Sequence, residues 1–86
     1  MSYDKVEKAA SITVGTKHTI RAIEKGQMSQ VVVAEDADDR VIGKILSLCK
    51  EYEIPVSYVD SMRHLGKVCG IEVSAAVVGI KQESTR

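Results

Sequence analysis

Residues Val31-Val32-Val33-Ala34 decide the fold of this chain of 86 residues. Four apolar residues in a row, three of them β-branched, are typical of a β-strand that is covered on both faces. Helical patterns flank this run at 16–25 and 39–52, and short apolar stretches recur at 12–15, 54–59 and 75–80. Because helices alternate with apolar strands, the sequence predicts an α/β fold with helices on both faces of a sheet.

The remaining elements follow from capping residues and apolar periodicity. Residues 3–10 and 61–69 are predicted as short helices, the second beginning after an N-cap at Asp60 or Ser61. The inward side of the first helix is predicted to hold Val6, Ala9 and Ala10. The buried face of the helix at 39–52 is predicted to consist of Val41, Ile45, Leu48, Cys49 and Tyr52.

Length and composition indicate one globular domain over residues 1–86, with a polar tail at 81–86 that we expect to be frayed. No apolar run is as long as a membrane span, and the charged N-terminus lacks the apolar segment of a signal peptide. We therefore expect a cytoplasmic monomer without a membrane partner. Cys49 and Cys69 lack a C-x-x-C spacing, so we expect no metal site, and we expect no cofactor. Cys49 lies in an apolar helical pattern, which predicts a buried, reduced thiol.

Charge is segregated along a chain whose formal net charge is zero. Residues 1–30 carry five Lys or Arg against three acids, residues 31–60 three against seven, and residues 61–86 four against two. Binding of a polyanion depends on the local patch and not on the total charge. We expect only weak non-specific binding of nucleic acid by a neutral chain, so tight binding has to depend on shape or base contacts.

The basic N-terminal part contains the stretch Gly15-Thr16-Lys17-His18-Thr19-Ile20-Arg21-Ala22-Ile23-Glu24-Lys25-Gly26, a predicted helix with a glycine at each end. Lys17, Arg21 and Lys25 recur every four residues and therefore share one face of that helix. The first N–H groups of a helix have no internal partner and attract anions. Together these features predict a docking site for a phosphate chain, with a merely solvated helix face as the alternative.

Four stretches of the sequence, in order, resemble the ribosomal L7Ae family of kink-turn-binding proteins. Residues 15–26 are similar to the family's Gly-x-Asn-Glu-x-x-Lys helix start, and residues 31–38 to its strand and acidic turn. Leu48-Cys49 with Ile54-Pro55-Val56 matches its Leu-Cys…Ile-Pro segment. Leu65-Gly66-Lys67-Val68-Cys69-Gly70-Ile71 matches its Leu-Gly-x-Ala-x-Gly loop entry.

The resemblance implies a three-layer α-β-α sandwich around a four-stranded mixed sheet. It also implies a non-catalytic RNA-binding function, the recognition and stabilisation of a kink-turn. This motif is an internal RNA loop with tandem sheared G·A pairs and a sharp bend. The implied partners are ribosomal RNA, and with it the ribosome, or a structured mRNA leader such as a riboswitch.

Carried over by position, the resemblance places RNA contacts in three segments. At the G·A pairs it implies Gly15, Thr16, Lys17, His18 and Arg21, with Lys25 further along the same helix face. Over a flipped-out nucleotide it implies Ile71, Glu72 and Val73, and beside that nucleotide it implies Asp38 and Ile42.

The chain departs from the family pattern where the G·A pairs are read. Lys17 and His18 stand in place of the Asn-Glu pair, and Arg21 stands in place of the lysine. Lys17 can donate to guanine O6 or N7, whereas neutral His18 offers one acceptor at most. These changes support the main alternative, a protein-interaction module of the same fold that has lost specific RNA binding.

Other patterns in the sequence have plainer explanations. The acidic turn at 35–39 lacks the glycine and the distal glutamate of a calcium loop, so helix capping is its expected role. His18 and His64 belong to no nucleophile motif, and no Gly-Lys-Ser/Thr follows Gly66, so we predict no enzyme. Without the family resemblance, residues 71–73 would be interpreted as ordinary strand entry.

Overall fold

The computed structural model describes residues 3–8 and 11–81, which contain four helices and four strands. In chain order these are α1 (Tyr3–Lys8), β1 (Ile12–Val14), α2 (Thr16–Glu24), β2 (Met28–Ala34), α3 (Asp39–Glu51), β3 (Val56–Val59), α4 (Met62–Val68) and β4 (Val77–Lys81). Helices and strands alternate as the sequence predicts. In these ranges no helix is long and apolar enough to cross a membrane.

The four strands form one mixed sheet in the order β1-β4-β2-β3. β4 runs antiparallel to both of its neighbours, with Val78 opposite Val14 and Val32, whereas β2 and β3 are parallel. Strands β1, β2 and β3 therefore point the same way, and their carboxyl ends meet at the edge of the sheet where β4 begins. We call this edge the C-terminal edge.

Both faces of β2 are covered, which makes this strand the centre of the fold. Val31, Val32, Val33 and Ala34 are all fully buried, as the continuous apolar run predicts. Val31 and Val33 pack in one core with α2 and α3, and Val32 and Ala34 pack in another with α1 and α4. These two cores on opposite faces of the sheet confirm the predicted α-β-α sandwich.

Helices α3 and α4 begin at side-chain caps. Asp38 Oδ1 accepts a hydrogen bond from the Arg40 N–H at 2.8 Å, so the predicted capping role of the acidic turn is confirmed. Ser61 Oγ accepts from the His64 N–H at 3.1 Å, which makes Ser61 and not Asp60 the N-cap of α4. Asp36 also contributes here, because its Oδ1 accepts from the Met62 N–H at 2.9 Å.

The C-terminal ends of α2, α3 and α4 share one hydrogen-bonding pattern. In each, the two successive N–H groups that follow the C-cap residue bond back to carbonyl groups of the helix end. The first of these N–H groups belongs to a residue with positive φ: Gly26 (73°), Glu53 (57°) and Gly70 (80°). Gly26 has the role that the sequence predicts, whereas Glu53 adopts a conformation that costs a non-glycine residue about 1 kcal/mol.

The structure corrects several details of the sequence interpretation. Tyr52 is 41% exposed and not part of the core, because α3 ends at Glu51 and Tyr52 is its C-cap. β2 begins at Met28, before the predicted start, and Lys81 belongs to β4 and not to a frayed tail. Ala9, Ala10 and residues 82–86 lie outside the described residues, and the single domain over the whole chain stays a prediction.

The buried face of α3 otherwise agrees with the sequence pattern. Ile45 and Cys49 are buried, and Val41 and Leu48 are half-buried against the same core. Cys49 is a free thiol, as predicted, and burial raises its pKa.

Candidate nucleic-acid interface

The start of α2 is shaped by the backbone of Gly15. Its φ of 98° and ψ of 157° lie in a region that essentially only glycine occupies. The Gly15 N–H donates to the Val77 carbonyl at 2.9 Å, which fixes the helix start against the first residue of β4. A Cβ on Gly15 would meet open space, so the approach to this helix end is unobstructed.

The N-terminal end of α2 keeps its positive character. In the part of the chain that the structure describes, no side chain caps this helix and no acid lies in its first turn. Nothing there offsets the partial positive charge of the first N–H groups. The end of α2 is therefore suited to an anionic ligand.

Cationic side chains continue from the helix start along α2. Lys17, His18, Arg21 and Lys25 are exposed, and Thr16 is half-buried beside them. Of the ionic side chains described for residues 3–8 and 11–81, only Arg40 and Asp38 lie within ion-pair distance, at 3.6 Å. The cations of α2 are therefore available to a polyanion.

His18 is held by the strand that precedes its helix. Its Nδ1 lies 3.4 Å from the Val14 carbonyl oxygen, a long contact in which a protonated Nδ1 would donate. In neutral His18 that tautomer leaves Nε2 as an acceptor away from this carbonyl. The Nε2 atom can thus accept a hydrogen bond from an N–H group of a nucleobase.

The loop between α4 and β4 presents the second predicted segment. Val73 is 69% exposed, Glu72 is exposed, and Ile71 is half-buried against the core that contains α1 and α4. The loop is held in place because Gly66 lies directly beneath it: a Cβ on Gly66 would overlap the carbonyl oxygen of Val73. A hydrogen bond of 3.0 Å from the Ala75 N–H to the Met62 carbonyl fixes the end of the loop.

The three predicted segments meet at the C-terminal edge of the sheet. Gly15 bonds to Val77, and the Ala34 N–H donates to the Ala76 carbonyl at 3.0 Å, so the helix start, the acidic turn and the loop surround the beginning of β4. Ile42 is half-buried and packs with the core that contains α2 and α3. The fold therefore brings together residues that lie far apart in the sequence.

Sequence reasoning missed three cations that border these segments. Arg63 and Lys67 of α4 line an open pocket of about 510 Å³ with Ile71, Glu72 and Val73. Lys81 lines a groove with His18, Arg21 and Lys25. The spacing of Arg63 and Lys67 by four residues and the basic balance of residues 61–86 were the signals available in the sequence.

His64 packs against α1 in a cluster with Tyr3, Asp60 and Ser61. Its ring stacks on Tyr3 of α1, with centroids 4.0 Å apart and an interplanar angle of 29°. The Tyr3 hydroxyl donates to Asp60 Oδ1 and accepts from the Ser61 N–H at 3.2 Å. The hydrogen bond from Tyr3 lowers the pKa of Asp60, and the pKa of Tyr3 is raised by desolvation and then by Asp60. This cluster attaches α1 to the start of α4.

Comparison with known proteins identifies close relatives by sequence. The family model of the Ribosomal protein L7Ae/L30e/S12e/Gadd45 family matches residues 2–86. RNA-binding protein YbxF of Geobacillus stearothermophilus is 51% identical over 80 residues, which cover 93% of this chain and 98% of the relative. An RNA-binding protein of Halalkalibacterium halodurans is 46% identical over 82 residues, which cover 95% of this chain and all of the relative (100%).

Solved structures share the fold. The 15.5 kD RNA binding protein of Giardia lamblia matches with a TM-score of 0.82 at 20% identity, over 95% of this chain and 69% of that one. A protein with unknown function from Bacillus halodurans C matches with a TM-score of 0.81 at 28% identity, over 93% of this chain and 80% of that one. On the sequence match across nearly its whole length, the chain belongs to the Ribosomal protein L7Ae/L30e/S12e/Gadd45 family.

Proposed function

We propose that this protein is a non-catalytic RNA-binding protein that recognises and stabilises kink-turns. The observation that carries this proposal is the meeting of an open, cationic helix start with a loop that exposes Val73 at the C-terminal edge of the sheet. One of these surfaces suits phosphates and base edges, and the other suits an unstacked base. The relatives that carry the name RNA-binding protein support the same function.

Each part of the interface has a proposed task. Lys17 donates to a guanine edge of the sheared G·A pairs, and Arg21 contacts the phosphate backbone. Ile71 and Val73 cover the flipped nucleotide, and the carboxylate of Glu72 accepts from an exocyclic amine. A protein that binds the kinked form selectively shifts the RNA population towards that form.

The proposed ligands are ribosomal RNA or a structured mRNA leader, bound by a monomer in the cytoplasm, with the ribosome as a further partner. The second candidate function is a protein-interaction module. The observation that favours it is the pair Lys17-His18, which does not reproduce the carboxylate acceptor of the family's Asn-Glu pair.

Titration with two RNAs separates these functions. One RNA carries a kink-turn, and the other has both sheared G·A pairs replaced by Watson–Crick pairs. We expect the replacement to weaken binding by several kcal/mol, because base and shape readout are lost together. Equal affinities for the two RNAs would refute kink-turn recognition and favour the interaction module.

A further inference from the structure

A groove runs between α2 and the edge strand β1, from the first turn of α2 towards the last residue of β4. It is open, has a volume of about 580 Å³, and its basic lining residues are His18, Arg21, Lys25 and Lys81. Gln27 adds an amide, and among the residues that the structure describes no acidic side chain lines the groove. We call it the α2–β1 groove. Its lining presents donors and positive charge to a ligand, and therefore suits a phosphate chain.

The basic residues of this groove are arranged along a line. His18, Arg21 and Lys25 are three, then four, residues apart, so they share one face of α2 over about 10 Å of helix. Lys81 lies on a different element, because it is the last residue of β4. Its N–H donates to the Ser11 carbonyl at 3.0 Å, which fixes its backbone beside the beginning of β1.

The groove also continues from the proposed RNA site. His18 lies in the first turn of α2, near Gly15 and the C-terminal edge, whereas Gln27 and Lys81 lie towards the opposite edge of the sheet. An RNA helix that presents its G·A pairs to the start of α2 has further paired nucleotides beside them. Each of those nucleotides carries a phosphate charge.

We propose that the α2–β1 groove binds the phosphate backbone of the RNA stem that flanks the G·A pairs, with Lys81 as the contact at its far end. This inference rests on the proposed function. It adds Lys81, a cation outside the three predicted RNA-contact segments, to the residues that contact RNA. Gln27 donates its amide to the same backbone. An acidic protein segment is the other polyanion that such a groove would accept.

Stem length provides the test. Two kink-turn RNAs are titrated, one with a long stem next to the G·A pairs and one whose stem ends directly after them. We expect Lys81→Gln to weaken binding of the long RNA about three- to tenfold and to reduce its salt slope by about one, as for one lost phosphate contact. Binding of the short RNA should change little.

Matched variants keep the result interpretable. Lys50→Gln makes the same change in net charge on exposed α3, outside the groove, and should leave both RNAs unaffected. Lys81→Arg keeps the charge and should retain long-stem binding. Thermal melting of each variant verifies folding.

Equal losses on the long and short RNAs, or no loss on either, would overturn the groove assignment. Unchanged binding of the long RNA together with lost binding of an acidic peptide would assign the groove to a protein partner. The G·A replacement in wild type tests kink-turn recognition independently, so the two proposals can fail separately.

Discussion

At the scale of single residues, two cations one turn apart in α2 have different binding chemistry. Lys17 offers a compact ammonium donor in the first turn, where the helix end is open. Arg21 offers a planar fork of N–H groups that matches the oxygens of a phosphate. We therefore propose that Lys17 discriminates between bases and that Arg21 contributes affinity for the backbone.

Substitution of each residue by alanine tests this division. Lys17→Ala should narrow the gap between kink-turn RNA and G·A-replaced RNA by about 1–3 kcal/mol, the value of one good base contact. Arg21→Ala should weaken both complexes and lower the salt slope by about one. Titrations at several salt concentrations measure both effects. Full discrimination between the two RNAs by the Lys17 variant would mean that Lys17 lies on a solvated helix face and reads no base.

The residues that bear chemistry were partly predictable from sequence. The spacing of Lys17, Arg21 and Lys25 predicts a shared helix face, and a glycine before a helix predicts an unusual backbone. The structure confirms the helix and the positive φ of Gly15. Lys81 was not predicted as a site residue. Its neighbours in the groove include His18 and Arg21 of α2, and no local sequence pattern indicates that they lie close to it.

At the scale of elements, the loop after α4 depends on a helix residue without a side chain. Gly66 is buried in α4, and the backbone of Val73 and Ser74 occupies the space where its Cβ would lie. The exposed position of Val73 is thus set by close contact between helix and loop. A Cβ on Gly43, in α3, would meet open space, so Gly43 provides a matched control.

Gly66→Ala should displace the loop. We expect the free energy of unfolding to fall by about 1–3 kcal/mol through overpacking, and kink-turn affinity to fall several-fold because Ile71 and Val73 move. Gly43→Ala should instead stabilise the protein by about 0.5–1 kcal/mol and leave binding unchanged.

Denaturant titrations and RNA titrations measure the two effects of Gly66→Ala. An RNA with an abasic site at the flipped nucleotide should bind the variant and wild type equally. A Gly66→Ala protein with unchanged affinity for the intact RNA would show that the loop position is irrelevant.

Element types were predictable from the sequence, whereas their ends were less so. Periodicity identifies α3, but the pattern cannot show that the chain reverses at Glu53, a residue that rarely adopts positive φ. For that reason Tyr52 was assigned to the core although it lies beyond the last turn. Similarly, β4 extends to Lys81 because antiparallel pairing with β2 continues to Met28.

At the scale of the whole molecule, a cluster at α1 connects residues almost sixty positions apart. Tyr3 stacks on His64, and its hydroxyl donates a hydrogen bond to Asp60, which directly follows β3. Because this bond lowers the pKa of Asp60 in the folded state, its stabilisation is present above the unfolded pKa of about 3.9. It is lost as the pH falls through the lower folded pKa.

Tyr3→Phe removes the donor and keeps the ring. We expect the variant to be less stable than wild type at neutral pH, and the difference in melting temperature to shrink as the pH falls from 7 to 3. Tyr58→Phe, at a tyrosine that is 41% exposed on β3, is the control and should follow wild type throughout. A constant difference across this pH range would mean that Asp60 does not depend on Tyr3.

The order of the strands also bears on how the protein behaves in a crowded solution. The strand most prone to self-association, apolar β2 with 7 residues, is enclosed between β4 and β3. The strands left at the margins are β1 with 3 residues and β3 with 4, the latter preceded by Pro55. Short marginal strands, one of them preceded by a proline, are poor templates for a further strand, so this strand order disfavours aggregation.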